Sequence, residues 1–470
     1  MREEEIKEVI KKILQEAQAT TSPMKEFGVF ETVEEAIHAA KFAQECYENQ
    51  TLETRRKVIE AIRNGMRPYV EKIARDTLEE TGMGRYEDKV QKLQLAINKT
   101  PGVEDLRTEA LTGDNGMTLY ELSPYGVVGA VTPSTNPAET LICNAIGMLA
   151  AGNAIYFSVH PGAKRVSRWV VSKMNELIYE ACGIQNLIVT ITEPSIEAAK
   201  EMMEHPDVPL LAITGGPGVV RQAMRSGKKV IAAGEGNPPS LVDETANIEK
   251  AAKDIVIGAS FDNNILCTAE KSVVVVDQVA DYLILQMEKN GAYLVQDEAV
   301  IQKMIDMTIM ENGAPSRKFI GKDANYILAE AGIKVDFDVR VIILRADKIH
   351  PFVVKEMLMP ILPVVTVSDF DEGLTTALQI ENRRHHTATM HSQNVGRMNI
   401  AAKKFQTSIF VKNGSSFAGL GFGGEGPTTF TIATPTGECT TSARDFARKR
   451  RCVLTAVSYT HLRAHETELH

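Results

Sequence analysis

Residues 125–159, YGVVGAVTPSTNPAETLICNAIGMLAAGNAIYFSV, decide the fold. An apolar run, VVGAV, stops at a turn rich in Thr, Pro, Ser and Asn. A helix of small residues follows, and the apolar texture resumes as AIYFSV. Short continuous apolar runs bounded by turn residues fit strands buried on both faces. Strand, crossover helix and strand together predict parallel pairing. The alternation continues outward through NLIVTIT, PLLAITG and VIAAG, with a helix between successive runs. In the first of these helices Val166, Trp169, Val170, Met174, Leu177 and Ile178 fall on one face. Upstream, helical patterns run from Val33 to Asn49 and from Thr54 to about Glu80. Beyond Pro238 the alternation resumes with different spacing, so a second α/β unit is expected. The fold class is α/β with a doubly wound parallel sheet.

The bulk numbers bound the function. A chain of 470 residues is too long for one compact core. A formal net charge of -9 without a basic block argues against nucleic acid as the main partner. No apolar run approaches the roughly 20 residues of a membrane span. The opening MREEEIKEVIKK is too charged for a secretory leader. The six cysteines, at 46, 143, 182, 267, 439 and 452, form no C-x-x-C pair, which fits a reducing, cytosolic setting. Residues 3–17 carry an apolar stripe of Ile6, Val9, Ile10, Ile13 and Leu14, an amphipathic helix tethered by ATTSP. The final VSYTHLRAHETELH, residues 457–470, does not continue the preceding pattern and reads as a non-native tail. Its His465, Glu466 and His470 imitate a zinc motif, but three residues follow Glu466 where H-E-x-x-H needs two.

Four segments could do chemistry. In FDNNILCTAEK, 261–271, Cys267 sits among polar residues just before a strand-like run. A reactive thiolate needs a partly exposed, polar setting, which Asn263, Asn264 and Thr268 could supply. A packed structural cysteine remains equally open on this local evidence. In TPSTNPAET, 132–140, Asn136 could donate its amide to a developing oxyanion, or could simply cap the helix that follows. ITGGPGVV, 213–220, is a glycine turn that opens a helix, suited to a phosphate or merely to a tight turn. HHTATMHS holds His385, His386 and His391 but no carboxylate at ligand spacing, so polar strand-edge residues near the site are expected rather than a metal.

Taken together, these segments resemble the aldehyde dehydrogenase superfamily over nearly the whole chain. GMGRYEDK, LTGDNG, TPSTNPAET, SFDNN-x-x-C-x-x-EK, HPFVVKEMLMPILPVV, TSIFVKNG and TGE…TSAR are most similar to its coenzyme-A-acylating acetaldehyde and propionaldehyde members from bacterial microcompartments. The resemblance implies Cys267 as nucleophile and Asn136 as oxyanion donor. It implies cofactor contacts at Thr132, Pro133, Ser134, Thr214, Gly215, Gly216 and Val219, and at Glu356 and Leu358 of EMLMP, where Glu356 would hold the nicotinamide ribose. NAD is the implied cofactor, coenzyme A the co-substrate and a short aliphatic aldehyde the substrate, with no metal. A homo-oligomer in the cytoplasm, inside a microcompartment, is implied as well, and the N-terminal helix (1–18) could dock on a shell protein. The implied cofactor domain covers 19–103 and 126–235 and the catalytic domain 236–431. Residues 104–125 and 432–454 would form a β oligomerisation arm.

Two departures from the wider superfamily matter. Hydrolytic members carry a glutamate before the nucleophile that activates water; here that position is Ala233, and Glu235 lies two residues on. Ser158 replaces a ribose-binding lysine, which loosens the choice between NAD and NADP. Without a base, water is a poor acceptor of the acyl group, whereas a coenzyme A thiol ionises readily. The expected reaction is oxidation of the aldehyde to its acyl-coenzyme A. A hydrolytic enzyme and a catalytically silent shell-cargo protein are the rivals.

Overall fold

The computed structural model describes residues 27–455. The helix expected over 3–17 and the tail from 457 lie outside the described residues. Six parallel strands form the first sheet, in the order Val29–Phe30, Ile188–Ile191, Ala154–Ser158, Val127–Val131, Leu210–Thr214 and Lys229–Ala233. From Val127–Val131 the chain winds outward one way and then returns to wind the other. The order therefore reverses between Val127–Val131 and Leu210–Thr214, a switch point that opens a crevice at their carboxyl ends. Every residue of the helix Pro137–Ala150 is buried. Its small side chains and apolar surround suit a helix with no solvent face.

The single helix expected from Thr54 to about Glu80 is instead two, Leu52–Met66 and Val70–Thr81. The turn Arg67–Tyr69 separates them, because Pro68 has no N–H to continue the ladder.

Seven parallel strands form the second sheet. Its central four, in spatial order, are Ile361–Val367, Ser272–Val276, Pro239–Val242 and Thr387–His391. Only Gly234–Pro238 separates the last strand of the first sheet from the first strand of the second. The carboxyl edge of one sheet consequently faces the amino edge of the other. Four loops meet at that amino edge: 234–238, 265–271, 355–360 and 382–386.

A separate antiparallel sheet joins Glu109–Gly113, Gly116–Pro124 and Ala447–Thr455. The strand expected from residue 432 starts only at Ala447. Ile432–Ala433 pairs locally with Cys439–Thr440, and Phe446 is buried against Gly147 of the central helix. Residues 432–446 thus belong to the first layer, where burial of Phe446 outweighs extension of the strand. Among the described residues no helix is long and apolar enough to cross a membrane.

Candidate active site

Cys267 ends a loop shaped by three consecutive left-handed residues, Asp262, Asn263 and Asn264, at φ of 45°, 54° and 64°. Asp and Asn tolerate this region because their short side chains bond locally. All three are buried and spend those side chains on the scaffold. Asn264 Nδ2 donates to the carbonyls of Ala259 and Glu270, and Asn263 Nδ2 to Gly321 O and Asp323. The polarity expected to serve the thiol therefore braces the loop, while the sulfur itself is half-buried. Burial, and then the nearby Glu356 carboxyl, push the Cys267 thiol up to about 12; Lys271 and the N–H groups of Cys267 and Thr268 pull it back.

Lys271 lies wholly within this loop. Its ammonium donates to Asn264 O, Asn264 Oδ1 and Leu266 O at 2.8, 2.6 and 2.8 Å. A trans peptide points its C=O and N–H in opposite directions. Binding Leu266 O therefore turns the Cys267 N–H away from Lys271, toward the sulfur's own side. Burial lowers the Lys271 ammonium to about 8, against Glu356.

Asn136 is the N-cap residue of the central helix, with Pro137 in the first turn, yet its side chain caps nothing. Its Oδ1 accepts instead from Lys92 Nζ at 2.7 Å, and its Nδ2 reaches Thr135 Oγ1 at 3.3 Å. The capping reading of this asparagine is thereby excluded. Lys92 and Leu266, neighbours of Asn136 and Cys267, line one apolar pocket with Leu95, Phe261, Phe417, Leu420, Phe422 and Phe430. Phe261 and Phe417 pack in a tilted arrangement with ring centroids 4.1 Å apart, and Phe422 lies 6.3 Å from each. The free volume is about 10 Å³, roughly the room of one water.

On the other side, the crevice at the switch point gathers most of the expected cofactor residues. Thr132, Pro133 and Ser134 follow one strand, and Thr214, Gly215, Gly216 and Val219 follow or succeed its neighbour. The Thr132 Oγ1 is buried without a partner. A Cβ on Gly215 would lie 2.8 Å from Val219 Cγ1, whereas Gly216 and Gly218 face open space. An unanswered hydroxyl, a tight turn and bare backbone at a helix start fit a dinucleotide. Ser158, at the next strand end, binds Thr132 N through its carbonyl at 3.2 Å.

Glu356 and Leu358 enter from the loop before Ile361. Leu358 adopts a left-handed φ of 54°, and its carbonyl accepts from Gly321 N. Glu356 Oε1 lies 3.4 Å from Gly236 N, and burial raises its carboxyl to about 7. Gly236 is the point where the loops touch: a Cβ there would stand 2.5 Å from Cys267 O and 3.1 Å from the His386 ring. Ala233 is buried at its strand end, and Glu235 faces Arg384 at 3.6 Å.

The three histidines part company. His385 is exposed at a left-handed φ of 53°, while His386 and His391 are buried and held neutral, with burial lowering each to about 3. His386 Nδ1 meets Thr387 Oγ1 at 2.9 Å, and its Nε2 has no partner. The strand-edge description therefore fails for the latter two. Lys92 and Lys271 escaped the sequence reading, because a lysine buried by tertiary packing looks like a surface one in a lone chain; His386 was expected near the site, and only its burial was missed. Among the described residues no three His, Cys, Asp or Glu side chains are placed to hold a metal. A larger surface cleft of about 530 Å³ lies near Arg85 and Lys322, but Asp338 and the Gly82 carbonyl already occupy those cations.

A half-buried cysteine whose neighbour Leu266 lines an apolar pocket, whose loop meets Glu356 through Gly236, and a switch-point crevice suited to a dinucleotide fit a cysteine-dependent α/β oxidoreductase. Comparison with known proteins narrows the class. Residues 3–434 match the aldehyde dehydrogenase family. A propanal dehydrogenase (CoA-propanoylating) of Citrobacter freundii is 53% identical over 459 residues, covering 97% of this chain and 99% of the relative. A solved structure of Rhodopseudomonas palustris propionaldehyde dehydrogenase, with bound CoA and an acylated cysteine, is 50% identical with a TM-score of 0.90, over 91% and 98% of the two chains. The propionaldehyde dehydrogenase of the Clostridium phytofermentans fucose utilisation bacterial microcompartment is 46% identical with a TM-score of 0.90, over 92% and 99%. The chain belongs to the aldehyde dehydrogenase family, and its architecture is that family's fold.

Proposed function

We infer that this protein oxidises a short aliphatic aldehyde to its acyl-coenzyme A, through a thioester on Cys267 and with NAD as hydride acceptor. The observation that carries the reading is Ala233. The strand end that presents a water-activating glutamate in hydrolytic relatives here offers a methyl group, and Glu235 is turned to Arg384. Activities of the similar proteins support the same conclusion.

The thiolate of Cys267 adds to the aldehyde carbon; the C–S bond forms and the carbonyl π pair moves to oxygen. The Asn136 NH₂ and the Cys267 N–H meet that charge. The aromatic walls of Phe261, Phe417 and Phe422 would enclose the aldehyde's alkyl chain once the side chains part to admit it. Thr132, Pro133, Ser134, Thr214, Gly215, Gly216, Val219, Glu356 and Leu358 would hold the cofactor. Once bound, the nicotinamide would supply the acceptor for the hydride that the aldehyde carbon gives up as its oxygen re-forms the C=O, which leaves a thioester on Cys267. The coenzyme A thiolate then attacks the acyl carbon, and Cys267 departs as thiolate, so one C–S bond replaces another and the step is readily reversed.

The test mixes protein, NAD and aldehyde without coenzyme A. At most one NADH per active site is expected, then a stall that coenzyme A relieves, because general-base help worth roughly 10²–10⁴ is missing for water. Steady turnover to free acid would establish the hydrolytic rival. Initial rates with NAD and NADP compared at equal concentration check the cofactor choice; a preference for NADP would overturn it.

Residues 1–18, expected from their apolar stripe to form an amphipathic helix, are read as a tag that docks on a microcompartment shell protein. Residues 1–20 fused to a fluorescent protein should concentrate in compartments; diffuse fluorescence would sink the idea. The three-stranded arm exposes Leu111, Val453 and Leu454 and two unpaired edges, and is read as the contact with a second copy. Deleting 447–455 should reduce the sedimenting mass to one chain, and an unchanged mass would exclude the arm.

A further inference from the structure

We propose that Lys92 is a positioning residue of the oxyanion site, holding the carbonyl end of the Asn136 amide so that its NH₂ end faces the reacting oxygen. The inference rests on the reading of Asn136 as an oxyanion donor.

Lysine carries three donors and no acceptor, so the atom it meets on Asn136 must be the amide oxygen. The three contacts of the Lys92 ammonium use those donors: Asn136 Oδ1 at 2.7 Å, Asp262 Oδ2 at 2.5 Å and Glu139 Oε1 at 3.3 Å. Lys92 is 2% exposed, so none of this is screened by water. Burial works against its charge, but Asp262 and Glu139 outweigh burial and keep the ammonium above the ordinary lysine range. Asp262 is itself fixed by Arg85 N at 2.8 Å and Lys89 at 3.2 Å. Asp262 also begins the left-handed run that leads to Cys267, so one carboxylate ties the amide's holder to the nucleophile's loop.

The amide has a competing use. Asn136 stands at the N-cap, where an asparagine oxygen ordinarily turns inward to accept from the first helical N–H groups. Here it does not, because Lys92 holds that oxygen. Without Lys92 the oxygen is free to cap, which would draw the amide away from the thiol. A bound ammonium also polarises the amide, strengthening its N–H as a donor. Lys271 treats the other donor alike, holding Leu266 O while the Cys267 N–H faces the opposite way.

The experiment is a double-mutant cycle on the full chain with saturating cofactor and coenzyme A. Asn136→Ala should lower kcat by roughly 10²–10³, the usual loss of one oxyanion donor. Lys92→Met should lower kcat by about 10–10², with KM for the aldehyde within about threefold, since only transition-state binding is lost. In the Asn136→Ala background the Lys92→Met change should cost less than about threefold, because its target is gone. If Lys92→Met does not fold, Lys92→Gln keeps a neutral donor to Oδ1 and should show the same non-additivity at smaller amplitude. Equal losses in both backgrounds, as general damage around Asp262 would give, would overturn the proposal, and so would an unchanged kcat in Lys92→Met. An unchanged kcat in Asn136→Ala would remove the oxyanion reading as well.

Discussion

Glu356→Gln removes one negative charge near the Cys267 thiol while keeping the side chain's shape. In the free protein that thiol is raised to about 12, first by burial and next by Glu356. At pH 8 a thiol of this kind is ionised in roughly one molecule in 10⁴. Glu356 is the second cause after burial, so the substitution should lower the thiol's pKa and raise the thiolate population at pH 8 by about tenfold. Burial is untouched, and the thiol should remain less acidic than free cysteine. The sign depends on pH through Glu356 itself, whose carboxyl is raised to about 7. Below pH 7 the native carboxyl is mostly protonated and the substitution changes little. Above it the carboxylate is charged and its removal matters. The assay is the rate of iodoacetamide alkylation of Cys267 from pH 6 to 9, without cofactor. Cys267→Ala serves as the blank, because Cys46 and Cys452 are exposed. The ratio of variant to native rates should climb through pH 7. A flat ratio, or a slower variant at pH 8, would show that Glu356 does not set the field at the sulfur.

Phe422, 39% exposed, is the outermost wall of the apolar pocket proposed to take the aldehyde. Phe422→Ala should favour longer aldehydes, with kcat/KM gaining up to about fourfold per added methylene that finds cover, from roughly 0.8 kcal/mol each. An unchanged ranking of aldehydes by length would exclude Phe422 as a determinant. His386 and His391 are neutral when folded but gain protons near pH 6.5 when unfolded, so their contribution to stability is present above that pH and lost as pH falls toward 3. At pH 5 the loss is about 2 kcal/mol for each. His391→Gln should therefore narrow the difference in urea midpoint between pH 7 and pH 5; an undiminished difference would refute the assignment.

The parallel strands were legible because each is a short apolar run framed by turn residues, and the segments around Cys267 and Asn136 stood out because their motifs are distinctive. The edge of the second sheet that carries the site was not. Strand ends that bind ligands in doubly wound sheets are carboxyl ends, and the first sheet places Thr132 and Thr214 there. The second sheet supplies Cys267 and Glu356 from its amino edge, a consequence of the five-residue link between the two sheets. Polar residues misled in a consistent way. Asn263 and Asn264 looked like the thiol's surroundings but are spent on carbonyls of the loop. Lys92, one helical turn beyond Lys89 on the same face, acquires its role only when Asp262 and Asn136 arrive from far along the chain.

Because the second sheet brings its chemistry in at one rim, the opposite rim is left to other uses. Asp347, Lys348 and Ile349 after the second-sheet strand Val341–Arg345, Ser368 and Asp369 after Ile361–Val367, and Gln393 and Asn394 after Thr387–His391 are all exposed. Each lies a full strand's length from the thiol. Peptide epitopes, affinity handles or tethers to a solid support grafted at these positions would sit at the rim opposite the loops that carry Cys267 and Glu356. For immobilised cascades in which aldehyde is passed between neighbouring catalysts, that rim is the natural point of attachment.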